Sequence, residues 1–272
     1  MTRMQLVVIG NGMAGMRTVE ELLQLAPDKY DITVIGREPH GNYNRIMLSP
    51  VLAGEKAFED IVIHPLSWYA ERGITLLAGH TVTGVDRVQR CVSTDQGVVV
   101  RYDRLLLATG SVPFMIPMPG HDHPDVISFR DIADVRRMLA PSATPPRVVV
   151  LGGGLLGLEA ANGLVKQGMA VTVVNDAAYL LNRQLDEEAS SLLRSALEAK
   201  GIVFKVSAVT SHISHNADTG KLNALHFKDG TELSCDLLVM AVGVRPNVAL
   251  ARSIGLQVDK AILVNDTMQT FD

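Results

Sequence analysis

Cysteine is nearly absent: the 272-residue chain has two, Cys91 and Cys235. They form no C-x-x-C or C-x4-C pair. Dithiol redox chemistry is therefore excluded, and so is an iron–sulfur or zinc centre ligated by this chain alone. Buried small hydrophobes are the expected role of both. There is no basic block either: 25 Lys and Arg stand against 29 Asp and Glu, a net charge of −4. That balance argues against nucleic acid or an anionic membrane as a partner. No apolar run approaches the length of a membrane span. The N-terminal residues lead straight into an apolar strand pattern, so no signal peptide is expected and a cytoplasmic setting fits. His121, His123, His212 and His215 bring no third and fourth ligand at metal spacing, so no metal site is expected. With 47% apolar and 20% charged residues, the composition is that of a soluble globular protein long enough for two domains.

Glycine, by contrast, is placed with a pattern. Val7-Val8-Ile9-Gly10-Asn11-Gly12-Met13-Ala14-Gly15 and Val148-Val149-Val150-Leu151-Gly152-Gly153-Gly154-Leu155-Leu156-Gly157 both read G-x-G-x-x-G. Each follows a Val-rich apolar run and opens a helical pattern, the context in which the motif marks a dinucleotide site. At this glycine frequency chance supplies roughly 0.01 such pairs per chain, so the pair is a strong signal. The first glycine permits the tight turn, the second lets backbone approach a pyrophosphate, and the third lets the helix pack on its strand. The pyrophosphate then meets free N–H groups and the positive end of the helix dipole. Two dinucleotides on one chain suggest hydride transfer between them.

The remaining pattern repeats this unit. Strands are expected at Leu6 to Ile9 and Asp31 to Ile35, with a helix over Met13 to Leu25 between them. Residues 36–60 show no period and read as loop with short helical pieces. Short strands are expected at Ile74 to Ala78, Thr81 to Arg87, Cys91 to Thr94, Val98 to Arg101 and Arg104 to Ala108. Pro113, Pro117, Pro119, Gly120 and Pro124 mark a crossing between domains. In the second half, helices are expected over Asp131 to Leu139, Leu155 to Lys166 with Gly168 at its C-terminal cap, and Asp186 to Lys200. Pro141 to Pro146 reads as a linker. Strands are expected at Val171 to Val174, Ile202 to Val206, in alternating stretches up to Ser234, and at Leu237 to Val242. The fold class expected is α/β: two Rossmann-like doubly wound nucleotide-binding domains, the second inserted into the first, each with a small antiparallel sheet. The boundaries expected are 1–113, 114–245, and 246–272 as the start of the return to the first domain.

A ribose partner is expected at the end of the second strand of each unit, about 20 residues past the last glycine. In the first half this is Glu38. In the second half Asn175 stands at that place, with Asp176 one residue later. Arg183 is the nearest arginine that could fold back on a 2′-phosphate. The pattern leans to NADH and leaves NADPH open.

Gly10 to Gly15, Glu38-Pro39, Tyr43-Asn44-Arg45 and Leu48-Ser49-Pro50-Val51-Leu52 resemble the large subunit of assimilatory NAD(P)H-dependent nitrite reductases. So do Gly153 to Ala161, Arg183-Gln184-Leu185-Asp186 and Ala241-Val242-Gly243-Val244-Arg245-Pro246-Asn247. The resemblance covers essentially the whole chain, within the flavin-dependent pyridine nucleotide reductases. Pro50 stands where ferredoxin- and rubredoxin-reductase relatives carry Lys, which favours the nitrite reductase branch. The resemblance implies FAD on the first half and NADH, or NADPH, on the second. It implies FAD contacts from Gly10, Gly12, Met13, Ala14, Gly15, Glu38, Arg45, Val82, Ala108, Thr109 and Gly110. It implies nicotinamide-nucleotide contacts from Gly152, Gly154, Leu155, Gly157, Asn175 and Gly243, with Glu159 near the nicotinamide. No catalytic side chain is implied. The electrons then pass to an acceptor domain or subunit carrying an iron–sulfur cluster and sirohaem, both expected only in a longer parent protein. In such relatives the sequence after Val264 to Thr270 runs into a strand that closes over the flavin, so the chain resembles a shortened form with weakened FAD binding. Self-association is also expected. The rival expectations are a reductase component for ferredoxin, rubredoxin or nitrate reductase, and a non-catalytic nucleotide-binding module.

Overall fold

A computed structural model describes residues 3–140 and 144–272. Part of the expected linker, residues 141–143, lies outside the described residues. The chain divides into two units. One comprises 1–45, 61–112 and 245–272; the other comprises 46–60 and 113–244. The second unit is thus inserted in the first, and residues 46–60 belong with it.

The first unit is built on four parallel strands. They are Met4–Ile9 (β1), Tyr30–Gly36 (β2), Thr75–Ala78 (β3) and Arg104–Leu107 (β4), ordered β3-β2-β1-β4. The run Leu-Val-Val-Ile in β1 is apolar at every position because both faces of this sheet are covered. On one side Leu6, Val8, Ile32 and Val34 pack with Met16, Val19 and Tyr69. Met16 and Val19 come from the helix Met13–Leu25 (α1), on one face at i and i+3. On the other side Val7, Ile9 and Ile35 pack with Val92, Val82, Val85 and Val100. The last four belong to a three-stranded antiparallel sheet of Val82–Asp86, Cys91–Thr94 and Val99–Arg101.

The second unit repeats the plan. Its strands are Val126–Ser128 (β5), Arg147–Leu151 (β6), Ala170–Val174 (β7), Val203–Lys205 (β8) and Leu237–Met240 (β9), parallel in the order β5-β9-β6-β7-β8. Three helices lie between them in the chain: Ile132–Met138, Leu155–Lys166 (α2) and Glu187–Glu198 (α3). Gly168 follows α2 at φ +79°, the left-handed turn that ends a helix. Asp186 caps α3 by accepting the Ala189 N–H. An antiparallel sheet of Thr210–His215, Leu222–Phe227 and Glu232–Ser234 packs Ile213, Leu225 and Phe227 onto Val149, Leu151, Leu238 and Met240. The short helix Leu48–Leu52 lies against α2, where a Cβ on Gly163 would come within 2.9 Å of Leu52 Cγ.

Candidate functional site

The same backbone device stands at the top of each parallel sheet. Gly10 has φ +116° and Gly152 has φ +123°. A Cβ on Gly10 would sit 2.1 Å from the Ala108 carbonyl oxygen, and one on Gly152 would sit 2.6 Å from that of Ala241. Both glycines therefore let the turn pass under the end of the neighbouring strand. Gly15 and Gly157 do the packing work. A Cβ there would meet the Gly10 oxygen at 2.8 Å and the Gly152 oxygen at 2.0 Å.

The middle glycines differ. Gly12 and Gly154 are the N-cap residues of α1 and α2, in extended conformation and without a side-chain cap. A Cβ on either would meet nothing within 4 Å. Neither helix carries an acidic residue in its first turn. Each unit thus presents an open, side-chain-free cradle at the positive end of a helix, where N–H groups await an anion. This fits a pyrophosphate in both places.

Around the first cradle, Ala14 is exposed and Met13 half-buried. Glu38 lies just past β2. Its carboxylate accepts the Tyr43 hydroxyl at 2.6 Å and is paired with Arg45, whose guanidinium also lies 5.1 Å from the Tyr43 ring centre. Both side chains are largely buried, at 18% exposure for Glu38 and 23% for Arg45. The carboxylate is thereby fixed in direction, and its remaining lone pairs are those a ribose would use. The Thr109 hydroxyl donates to the Asn247 carbonyl at 2.7 Å, and the Asn247 N–H returns to Gly110 O at 2.9 Å. Gly110 turns at φ +68°. Val82 is spent on packing beneath the sheet.

Around the second cradle, Leu155 is exposed and Gly243 turns at φ +119° with open space at its Cβ position. Glu159, on the second turn of α2, accepts the Ser49 hydroxyl at 2.5 Å. Asn175 is buried and its amide is consumed internally. It accepts the Gly153 N–H at 3.1 Å and donates to Ala177 O at 3.2 Å and Tyr179 O at 3.0 Å. It braces the loop after β7, and Asp176 beside it is exposed, as is Arg183. Sequence reasoning did not find Ser49, Asn247 or this bracing role of Asn175. Ser49 and Asn247 stood inside the quoted motifs, but their partners are 110 and 138 residues away.

The cysteines are free. Cys235 is buried and its thiol is pushed up to about 12, first by burial and then by Asp236, so it is no nucleophile. His123 stacks on His215 and His212 on His226. Among the described residues no three His, Cys, Asp or Glu side chains converge for a metal. No helix among them is long and apolar enough to cross a membrane.

A nitrite reductase [NAD(P)H] of Bacillus subtilis is 48% identical over 270 residues, 99% of this chain and 33% of its own length. The assimilatory nitrate reductase electron transfer subunit of Bacillus subtilis is 45% identical over 99% of this chain and 35% of its own. The chain thus spans about a third of the length of these curated relatives. Among solved structures, the covalent putidaredoxin reductase–putidaredoxin complex matches 99% of this chain and 66% of that one, with 30% identity and a TM-score of 0.88. The model of the pyridine nucleotide-disulphide oxidoreductase family matches residues 4–272. Paired nucleotide cradles, inserted topology and these matches agree, and the chain belongs to the pyridine nucleotide-disulphide oxidoreductase family.

Proposed function

We propose that this chain is the FAD- and NAD(P)H-binding part of a nitrite-reductase-type enzyme, taking electrons from NADH and handing them to an acceptor domain or subunit. The observation that carries the reading is the pair of open N-cap cradles at Gly12 and Gly154. When bound together, a nicotinamide and a flavin supply hydride transfer followed by release of single electrons. The chain's own residues bind and orient. Gly10, Gly12, Met13, Ala14 and Gly15 cradle the FAD pyrophosphate, with Ala108, Thr109 and Gly110 beside it. Glu38, steered by Tyr43 and Arg45, takes the ribose hydroxyls. Gly152, Gly154, Leu155 and Gly157 cradle the nicotinamide nucleotide, with Gly243 leaving room beside them. Nitrite reductase names among the relatives support nitrite as the final oxidant; the acceptor proposed with it is an iron–sulfur and sirohaem centre outside this chain. The 45% identity to a nitrate reductase electron transfer subunit favours a second reading, in which the acceptor belongs to nitrate reduction.

The direct test is an anaerobic absorbance spectrum of the chain reconstituted with FAD, before and after NADH. Bleaching of the flavin band supports the reading. FAD that binds and never bleaches with NADH or NADPH overturns it.

Glu159 offers a sharper probe. Its carboxylate is held by Ser49 across 110 residues of sequence. Ser49→Ala frees it to rotate without opening a cavity. The expected result is an about tenfold fall in NADH-dependent dye reduction, since small misplacements beside a reacting group are costly. The melting temperature should stay within about 2 °C, as the site is exposed. An unchanged rate would remove Glu159 from the nicotinamide site.

A further inference from the structure

Three glycines in a row, Gly152-Gly153-Gly154, open the second fingerprint. A peptide plane between two glycines turns over easily, because neither neighbour has a Cβ to oppose it. The plane joining Gly153 to Gly154 carries the Gly154 N–H, which finds no acceptor among the described residues. In a planar trans peptide the carbonyl and the following N–H point in opposite directions. Whatever holds the Gly153 carbonyl therefore sets the aim of the Gly154 N–H.

What holds it is a strained leucine. The Leu181 N–H donates to Gly153 O at 3.0 Å. Four non-glycine residues among those described have a positive φ, and Leu181, at +50°, is the buried one. A left-handed leucine is unfavourable by itself and persists only where its surroundings fix it. Here each residue of the turn is tied. Tyr179 O accepts Asn175 Nδ2 at 3.0 Å, and the Leu180 N–H donates to Ser190 Oγ at 2.9 Å. Leu181 O accepts the N–H groups of Gln184 at 2.7 Å and Leu185 at 2.9 Å. Leu180 and Ser190 are both fully buried. A Cβ on Gly153 would come within 3.0 Å of Leu180 Cδ2, so the turn lies directly on the glycine. Ser190 is the tie that α3 contributes. The first unit pins the equivalent carbonyl by another route. Asn11 O accepts Asn42 Nδ2 at 3.0 Å, with Asn42 held in turn by His64 and His64 by Glu20. Two unrelated donors on the same carbonyl position point to one requirement: the N–H of the middle glycine must face the cradle.

We infer that Ser190 is a positioning residue for the second cradle: it holds the left-handed turn whose Leu181 N–H pins the Gly153 carbonyl, and so turns the Gly154 N–H toward the pyrophosphate of the nicotinamide nucleotide. The ligand part of this inference rests on the dinucleotide reading above. Ser190 and Asn175 have separate parts. Asn175 accepts the Gly153 N–H and so fixes the peptide before that glycine. Ser190 acts through Leu180 and Leu181 on the peptide after it. Without the Ser190 oxygen the buried Leu180 N–H has no acceptor, and the strained turn loses one of the contacts that offset its cost.

Ser190→Ala removes the acceptor, and Ser190→Thr keeps it. The added methyl has room, because Ser190 lines a cleft of about 140 Å³ with Tyr179, Leu180 and Arg194. The experiment is nitrogen-15 NMR of the Leu181 and Gly154 amides in the ligand-free chain, with NADH and FAD titrations by fluorescence and a thermal melt. In Ser190→Ala the Leu181 amide should exchange with solvent about tenfold faster and the Gly154 resonance should move. NADH affinity should fall about tenfold, the share of one charge-assisted hydrogen bond, while FAD affinity stays within about twofold. The melting temperature should fall by only about 2–5 °C. Ser190→Thr should match the wild type in every readout. Leu181 and Gly154 amides that do not respond to Ser190→Ala would overturn the inference. So would FAD affinity that fell as far as NADH affinity, or a Ser190→Thr variant as impaired as Ser190→Ala, since either makes Ser190 a general packing residue. Should the wild type bind neither NADH nor NADPH while the Gly154 amide still follows residue 190, the dinucleotide reading fails and the positioning role stands.

Discussion

Gly12→Ala is expected to leave the melting temperature of the chain within about 2 °C of wild type and to cut FAD affinity about 10- to 100-fold. Gly10→Ala is expected to reduce the melting temperature by roughly 6–15 °C. The two residues are neighbours in one motif, and the difference lies in what each would touch. At Gly12 a methyl group enters space that holds no atom of the chain within 4 Å. Its backbone is extended, at φ −89°, which any residue adopts. Alanine is a poorer N-cap than glycine by about 0.5–1 kcal/mol, a small loss for a chain of this size. What it takes away is the room for a phosphate against bare backbone. At Gly10 the methyl would sit 2.1 Å from the Ala108 carbonyl oxygen at φ +116°. The forbidden dihedral costs about 1–3 kcal/mol and the overlap about as much again. Gly154→Ala and Gly152→Ala should divide in the same way for NADH. Thermal melting and ligand titration on the same preparations check the claim. If both alanines lowered the melting temperature equally, the open cradle at the middle glycine would not exist.

The fingerprint helices were legible to the residue: Met13–Leu25 and Leu155–Lys166 stand where the pattern placed them. They were legible because the glycines before them and the breakers after them act locally. The second nucleotide unit was legible from the repeat of strand, glycine motif and helix, whereas its insertion followed only from the expected return of the chain to the first unit. Other elements had no local signal. Val126–Ser128 is three residues long, between His123-Pro124 and the next helix, and exists because β9 offers it an edge. The helix Ala249–Ser253 is also too short to show a period. Residues 46–60 carried no hint that they join the second unit, because the contact of Leu52 with Gly163 is decided by tertiary packing. The site divides likewise. Spacing put Glu38 at the strand end, and the structure adds the Tyr43 and Arg45 bonds that aim it. The chain from Asn11 through Asn42 and His64 to Glu20 joins residues up to 44 apart, and no motif announces it. Periodicity reports which face is buried. It does not report which polar atoms meet there.

Asn175→Asp tests that distinction at its most severe, by changing one atom. The residue stands where an acidic ribose partner is common in such sites, so position alone would predict tighter NADH binding. The hydrogen bonds predict the opposite. Asp keeps the acceptor for the Gly153 N–H and loses both donors, to Ala177 O and Tyr179 O. A carboxylate oxygen then faces two carbonyl oxygens in a buried position. Two lost bonds and an uncompensated buried charge should cost about 3–5 kcal/mol, lowering the melting temperature by roughly 6–15 °C. NADH affinity should fall with it, because the loop after β7 loses its brace. The variant carboxyl, disfavoured as an anion, has a folded pKa above its unfolded value. Its stabilising contribution is therefore present at low pH and lost as pH rises through the folded value, so the deficit should shrink on acidification. Asp176→Asn, on the exposed neighbour, should move stability by less than about 0.5 kcal/mol. It removes one negative charge beside the expected 2′ position, worth about 1 kcal/mol at close range in water. The ratio of kcat/KM for NADPH over NADH should rise about fivefold. An Asn175→Asp variant as stable as wild type, with a stronger preference for NADH, would make residue 175 the ribose partner and end its assignment as an internal brace.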